Sequence, residues 1–141
     1  MIDRTEPRVF RLQDVPIGAN NPTSRSARIV TPESTGSGRL YAGMFWSEPA
    51  SRGGWSFHSD DPDEGRMVEG VPHLGEHDEV YLCLRGRVRV TWDGGSFEFG
   101  PNDVVYFPAG RTYLTEVIGD EPAQVFYVMA PAPRWMAPFE P

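Results

Sequence analysis

The stretch PHLGEHDEVYLCLRG, residues 72–86, joins a polar segment rich in histidine to an apolar run. Two histidines and three acids fall within the seven positions 73–79: His73, Glu76, His77, Asp78 and Glu79. The residues that follow are mostly apolar, β-branched or aromatic and end at a glycine, which is typical of a buried strand. Imidazole and carboxylate groups crowded at the start of a strand indicate a candidate site for a divalent metal ion.

The rest of the chain predicts a mostly β fold, because 15 glycines and 14 prolines leave no long helical window. The clearest local signal is RVRVTWDGGSFEF, residues 87–99, where alternating apolar residues flank a DGG turn and predict a hairpin. We expect strands over residues 9–12, 40–46, 55–58, 79–84, 87–92, 96–99, 104–107, 112–117 and 124–130. The predicted core comprises Val80, Leu82, Val88, Val90, Phe97, Val105, Phe107 and Phe126.

A length of 141 residues suits one domain. We interpret residues 1–38 as an irregular arm that packs on a barrel, residues 39–130 as the barrel, and residues 131–141 as a tail packed by Trp135 and Phe139. The lone Cys83 lies in an apolar run, where a buried, inert thiol is the usual case.

Charge and composition exclude several classes of function. The net charge of −7 argues against nucleic acid and anionic membranes as partners. All 13 basic residues are arginine, and a chain without lysine cannot form a Schiff base or a P-loop. The first ten residues resemble no secretion signal, and no apolar run approaches the roughly 20 residues of a membrane span. We therefore expect a cytoplasmic protein that acts on a small molecule.

The three histidines of the chain and one nearby acid are the candidate metal ligands: His58, His73, His77 and Glu79. In an extended strand, residues two apart share a face, so His77, Glu79 and Tyr81 can converge. His73 lies further back and has to be returned by a bend, which Gly75 can supply.

Two stretches resemble the conserved motifs of the cupin superfamily. The first motif is His-x-His, three or four residues, Glu, six residues, Gly; His73, Glu79 and Gly86 match it, while Gly75 stands at the second histidine. The second stretch, GPNDVVYFPAGRTY at residues 100–113, matches at its Asp, Pro and Gly but has Tyr113 in place of the histidine. The resemblance spans roughly residues 40–130 and implies a single-domain, RmlC-like cupin, a β-barrel of two antiparallel sheets.

A second pairing with the family also stays open. WSFH at residues 55–58 and HDEVYLCLRG at residues 77–86 are similar to EutQ-type cupins, which lack the usual histidine pair. In that pairing His58 takes the place of a motif histidine, and residues 59–76 form an insertion. Both pairings keep Glu79 as the central carboxylate.

The resemblance and the ligand types together predict a metal-dependent enzyme for a small polar metabolite. We expect zinc, iron, manganese or nickel held by Glu79 and the histidines, which polarises a carbonyl or carboxylate for lyase, isomerase or cyclase chemistry. The candidate proton-transfer residues are Tyr113, Tyr81 and Glu76. The alternatives are an iron dioxygenase and a binding protein without turnover. The acidic loop before residue 79 is long enough to close over a pocket, and uncovered sheet edges predict a homodimer.

Overall fold

The computed structural model describes residues 6–141, and the first five residues of the expected arm lie outside this range. The described chain has one 3₁₀ helix (η1, Leu12–Asp14) and one short α-helix (α1, Pro32–Thr35). Its twelve strands are β1 (Ile17–Asn21), β2 (Ser24–Val30), β3 (Tyr41–Ser47), β4 (Arg52–Ser56), β5 (Met67–Val68), β6 (Val71–Pro72), β7 (Asp78–Arg85), β8 (Arg87–Trp92), β9 (Gly95–Phe99), β10 (Val104–Phe107), β11 (Thr112–Ile118) and β12 (Ala123–Ala130).

Two antiparallel sheets form the framework, which confirms the expected all-β barrel. The large sheet has six strands in the order β1-β2-β3-β12-β7-β10, and the small sheet has four in the order β4-β11-β8-β9. Aromatic side chains from both sheets meet between them: the Trp55 and Tyr81 rings lie 5.5 Å apart, and Trp55 also meets Phe107 at 5.0 Å. Strands β5 and β6 pair only with each other. Within residues 6–141, no helix has the length and apolar character that crossing a bilayer requires.

The hairpin predicted at residues 87–99 is confirmed, with Val88 opposite Phe99 and Val90 opposite Phe97. The prediction of an irregular arm over residues 1–38 is wrong for β1 and β2, which extend the large sheet. The strand predicted at residues 9–12 does not form. The reason is the composition of β2, SRSARIV: serines rather than apolar residues occupy the inward positions 24 and 26. Alternating hydrophobicity therefore gives no signal for this strand.

The predicted core is partly right. Val88, Val90, Val105 and Phe107 are buried, and Phe97 packs against them. The prediction is wrong for Val80, Leu82 and Phe126, which lie on the outer face of the large sheet, while Tyr81, Cys83, Val125 and Tyr127 face inward. Both faces of β7 and β12 carry apolar side chains, so periodicity could not identify the inner face. Cys83 is fully buried, as expected of an inert thiol, and burial raises its pKa.

The outer face of the large sheet carries an apolar patch. Val80 stands opposite Tyr106, and Leu82 stands opposite Val104, across the β7–β10 pairing. Val104 and Tyr106 are 68% and 61% exposed, and β10 is an edge strand. Exposed apolar patches beside an open sheet edge commonly mark a protein interface. The homodimer stays a prediction, and we propose this patch as its interface.

Tyr106→Glu should convert a dimer into a monomer at micromolar concentration, because it buries an unpaired charge in the proposed interface. Sedimentation velocity measures the change, and Leu114→Glu, at an exposed position on the small sheet, is the matched control. A monomeric wild type would contradict the proposal. So would a dimer that persists in Tyr106→Glu.

Candidate functional site

A cavity of about 300 Å³ lies between the two sheets, within the size range of small-ligand sites. One wall comes from β1, β2 and β3 of the large sheet, and another comes from β4 and β11 of the small sheet. The β5–β6 hairpin contributes Met67, Gly70 and Pro72, and the carboxyl-terminal tail contributes Trp135 and Met136. The cavity is therefore covered by segments outside the barrel as well as by the strands.

Glu79 is the carboxyl group of this cavity. It lies on β7, where residues 79, 81 and 83 point inward, and only 5% of the residue is exposed. No hydrogen bond or ion pair joins its carboxyl group to another of residues 6–141. Burial raises the pKa of Glu79 well above its ordinary value, because removal from water penalises the charged form. The setting thus favours the neutral carboxylic acid, which is able to give up a proton, over the charged form.

Two tyrosines lie on the same face as Glu79. Tyr81 follows it on β7, and Tyr127 stands directly opposite Tyr81 on β12. Burial raises the pKa of both phenols well above the ordinary value, and the nearby Glu79 carboxyl adds to the rise. Both hydroxyls thus keep their protons and can donate hydrogen bonds to a ligand.

Gly43 leaves the space that Tyr127 occupies. A Cβ atom at position 43 would lie 2.6 Å from the Tyr127 hydroxyl oxygen and would also meet the Ala27 carbonyl. Any other residue at position 43 would displace the Tyr127 ring from the cavity wall.

The wall formed by β1 and β2 is polar. Ser26 Oγ donates to Asn20 Oδ1 at 3.0 Å, and Ser24 and Ser47 join through their hydroxyls at 2.9 Å. Arg28 follows on the same face of β2 and also lines the cavity. Hydroxyl, amide and guanidinium groups here face a carboxyl and two phenols, so the cavity suits a ligand rich in oxygen.

The loop of residues 59–77, called the lid loop below, is held at its two ends. The Asp61 carboxylate accepts hydrogen bonds from Ser56 Oγ at 3.2 Å and from the Asp63 backbone N–H at 2.8 Å, and it also contacts the His73 ring. The Asp63 N–H and the His73 ring lower the pKa of Asp61. His73 also pairs with Ser56 of β4 through a β-bridge. The lid loop is thus fixed to the small sheet while its hairpin covers the cavity.

The four predicted metal ligands do not come together. Glu79 lines the cavity, whereas His73 contacts Asp61, and His58 lines a separate pocket beside Arg111. Both ring nitrogens of His77 lie against backbone carbonyls, Nδ1 at 2.6 Å from Pro131 and Nε2 next to Leu74. The predicted ligand group of Glu79 with His73, His77 and His58 is therefore not assembled among residues 6–141.

The backbone around residue 75 explains this difference. Leu74 is 4% exposed and lines the cavity, so its neighbour His73 points to the other side. Gly75, at the second histidine position of the motif, has a φ of +87°, and a Cβ there would lie 2.5 Å from Glu64 Oε1. The bend that was expected to bring His73 into the cavity instead leaves its ring against Asp61, within the lid loop.

The three predicted proton-transfer residues have different surroundings. Tyr81 lines the cavity as described. Tyr113 is buried among core aromatics, and its hydroxyl donates to the Pro108 carbonyl at 2.7 Å. Glu76 is exposed on the lid loop and does not line the cavity. Sequence reasoning missed Arg28, Tyr127 and Asp61, and β2 carries no alternating pattern that would have placed Arg28 at the cavity.

The donor groups decide where a metal ion would fit. The described residues give the cavity one carboxylate and no imidazole, which does not match the mixed histidine and carboxylate sets that transition metals favour. Asp61, Asp63 and His73 each offer a ligand atom, and these atoms lie within 4.8 Å of one another. The candidate metal centre of this chain is therefore at the base of the lid loop.

Comparisons with known proteins agree with the fold. A family model described as "Cupin domain" matches residues 64–129. No curated protein sequence matches this chain significantly. KdgF from Halomonas sp. superposes with a TM-score of 0.65 at 13% identity, covering 89% of this chain and 94% of that one.

Two further solved structures share the architecture. The Clostridium difficile EutQ protein gives a TM-score of 0.54 at 18% identity, covering 77% of this chain and 63% of that one. A single-residue variant of Bacillus subtilis oxalate decarboxylase gives 0.64 at 19% identity, covering 87% of this chain and 29% of that one. At these identities the likeness concerns the fold. The motif residues, the two-sheet barrel and the family model that matches residues 64–129 together show that the chain has a cupin fold.

Proposed function

We propose that this cupin is an enzyme that transfers protons on a small, oxygen-rich metabolite, by lyase or isomerase chemistry with Glu79 as the acid and base. The observation that carries the proposal is the Glu79 carboxyl, buried on the cavity wall with no partner among residues 6–141 and with a raised pKa. A carboxyl group whose pKa is raised toward neutrality is suited to proton transfer at neutral pH.

The two phenols complete the chemistry. When Glu79 in its ionised form removes a proton from a carbon next to a carbonyl, negative charge develops on the carbonyl oxygen. Tyr81 and Tyr127 line the same cavity and keep their protons, so they can donate hydrogen bonds to that oxygen. Return of the proton from Glu79 to a different carbon gives isomerisation, and loss of a neighbouring leaving group gives elimination.

The lid loop supports the same proposal. Its hairpin residues Met67 and Pro72 line the cavity, and the loop is tied to the small sheet through Asp61. A cover of this kind excludes water, and exclusion of water strengthens electrostatic interactions in the site.

A divalent metal at the lid loop is a second candidate component, favoured by the grouping of Asp61, Asp63 and His73. Asp61 and His73 lie near opposite ends of the loop, so an ion bound to both would hold the loop closed. In this proposal the metal orders the cover and the proton transfer belongs to Glu79. The sequence predicted a metal inside the barrel, whereas this proposal places the metal at the lid loop.

If the loop binds a metal, Asp63→Asn should weaken its binding more than about tenfold, because it removes a charged ligand. His58→Ala is the matched control, since this histidine lies apart from the group. Calorimetric titration with zinc and manganese measures both. Equal binding by the wild type and Asp63→Asn, or no binding to the wild type, would contradict the metal proposal without affecting that for Glu79.

Glu79→Gln should lower turnover about 100-fold or more while preserving substrate binding, because an amide fills the same space and cannot take up a proton. Turnover is assayed on a panel of hydroxy and keto metabolites, with and without oxygen, and Glu76→Gln is the control at an exposed carboxylate. Turnover that requires oxygen would favour the dioxygenase, and binding without any turnover would leave a binding protein. Either result would contradict the proposal.

Glu79→Gln should also stabilise the protein increasingly as pH rises above about 4.5, the ordinary pKa of this group. Since the folded pKa is raised, the folded state binds more protons than the unfolded state in this window. Wild-type stability therefore falls as pH increases toward the folded pKa. Urea unfolding at several pH values measures the difference in the free energy of unfolding between wild type and variant. A difference that stays constant across this window would refute the buried, unpaired state of Glu79.

A further inference from the structure

We propose that the ligand of the cavity carries a carboxylate and that Arg28 binds it. This inference rests on the proposed function only in taking the cavity as the ligand site. It names the substrate class: small hydroxy or sugar acids rather than neutral polyols.

Arg28 supplies a cationic group to the cavity wall. It lies on β2, on the face that also presents Ser24 and Ser26 to the cavity. Among residues 6–141 no carboxylate forms an ion pair with it. Arg52 at the same cavity is different, because its guanidinium lies 2.9 Å from the Glu116 carboxylate. A protein of net charge −7 thus has in its cavity an arginine with which no carboxylate of the described residues pairs.

The tail fixes the guanidinium group of Arg28. Its Nη1 donates to the Ala137 carbonyl at 2.7 Å, and its Cζ lies 4.2 Å from the centre of the Phe139 ring. The Phe139 ring itself packs over Gly18 of β1. An arginine held in this way loses little side-chain entropy when it binds an anion.

One side of Arg28 has no acceptor. Its Nε is buried and has no hydrogen-bond partner among residues 6–141, and the same is true of Trp55 Nε1 and Trp135 Nε1. All three residues contribute to the cavity wall. A buried donor without an acceptor is costly, and the oxygens of a carboxylate are the acceptors that a guanidinium binds most strongly.

The cavity limits the size of this acid. Its volume of about 300 Å³ lies at the lower end of the range for small-ligand sites, which favours a small metabolite. The serine and asparagine side chains of the polar wall suit the hydroxyl groups of such an acid.

Matched pairs of ligands test the proposal. Lactate, 3-hydroxybutyrate and gluconate differ from propane-1,2-diol, butane-1,3-diol and glucitol in having a carboxylate in place of a primary alcohol. Calorimetry at fixed pH and salt should show at least one acid binding the wild type about tenfold more tightly than its alcohol, the contribution expected of a charged hydrogen bond.

Arg28→Met should abolish the preference for the acid, and Arg28→Lys should reduce it, because lysine keeps the charge without the planar pair of donors. Arg25→Met, on the exposed face of the same strand, should keep the preference. The melting temperature reports whether each variant folds. If Arg28→Met does not fold, the acid preference of Arg28→Lys tests the role of Arg28.

An acid preference that persists in both Arg28 variants would overturn the assignment. Equal binding of acids and alcohols would overturn the proposal that the ligand carries a carboxylate. If that binding is lost in the cavity-filling variant Ser26→Phe, the cavity is still the ligand site. Absence of binding by all six compounds would overturn this proposal, whereas the Glu79→Gln assays decide the proton-transfer proposal independently.

Discussion

The burial of the Glu79 carboxyl, which has no partner among residues 6–141, is the constraint on which this site depends. Glu79 faces inward on β7 because residues 79, 81 and 83 form the inner face of the large sheet. On β7 and its neighbours β12 and β10, that face otherwise carries apolar and aromatic side chains, so the environment of Glu79 favours the neutral acid. Burial of a carboxyl group without a hydrogen-bond partner lowers the stability of the fold. Such destabilising groups are common at catalytic sites, where they serve the chemistry.

The rest of the cavity is arranged around that face. Part of the barrel that would otherwise be packed core is given to Ser24, Ser26 and Arg28 of β2, and the lid loop and the tail cover the space that results. The aromatic cluster of Trp55, Phe107 and Tyr113 fills the remainder and supplies the apolar contact that stabilises the barrel. Trp55 belongs to both parts of the interior, because it also lines the cavity.

The sequence predicted the fold well because its signals are local. The DGG hairpin and the spacing of Glu79 to Gly86 depend on residues near one another in the chain. The metal site was harder, because it depended on which way His73 and Leu74 point beyond Gly75. A shift of one residue in the register of an extended segment moves every side chain to the opposite face. Arg28 was also missed, because only the pairing of β2 with β3 places it at the cavity.

A direct titration of the Glu79 side chain tests the central claim. Carbon-detected NMR of the carboxyl resonances, assigned by comparison with Glu79→Gln, reports the protonation of this group in the folded protein. The account predicts a midpoint well above the ordinary 4.5, because burial without a partner disfavours the charged form. A midpoint at or below 4.5 would show that Glu79 is solvated or paired, and it would contradict both the buried acid and the chemistry assigned to it.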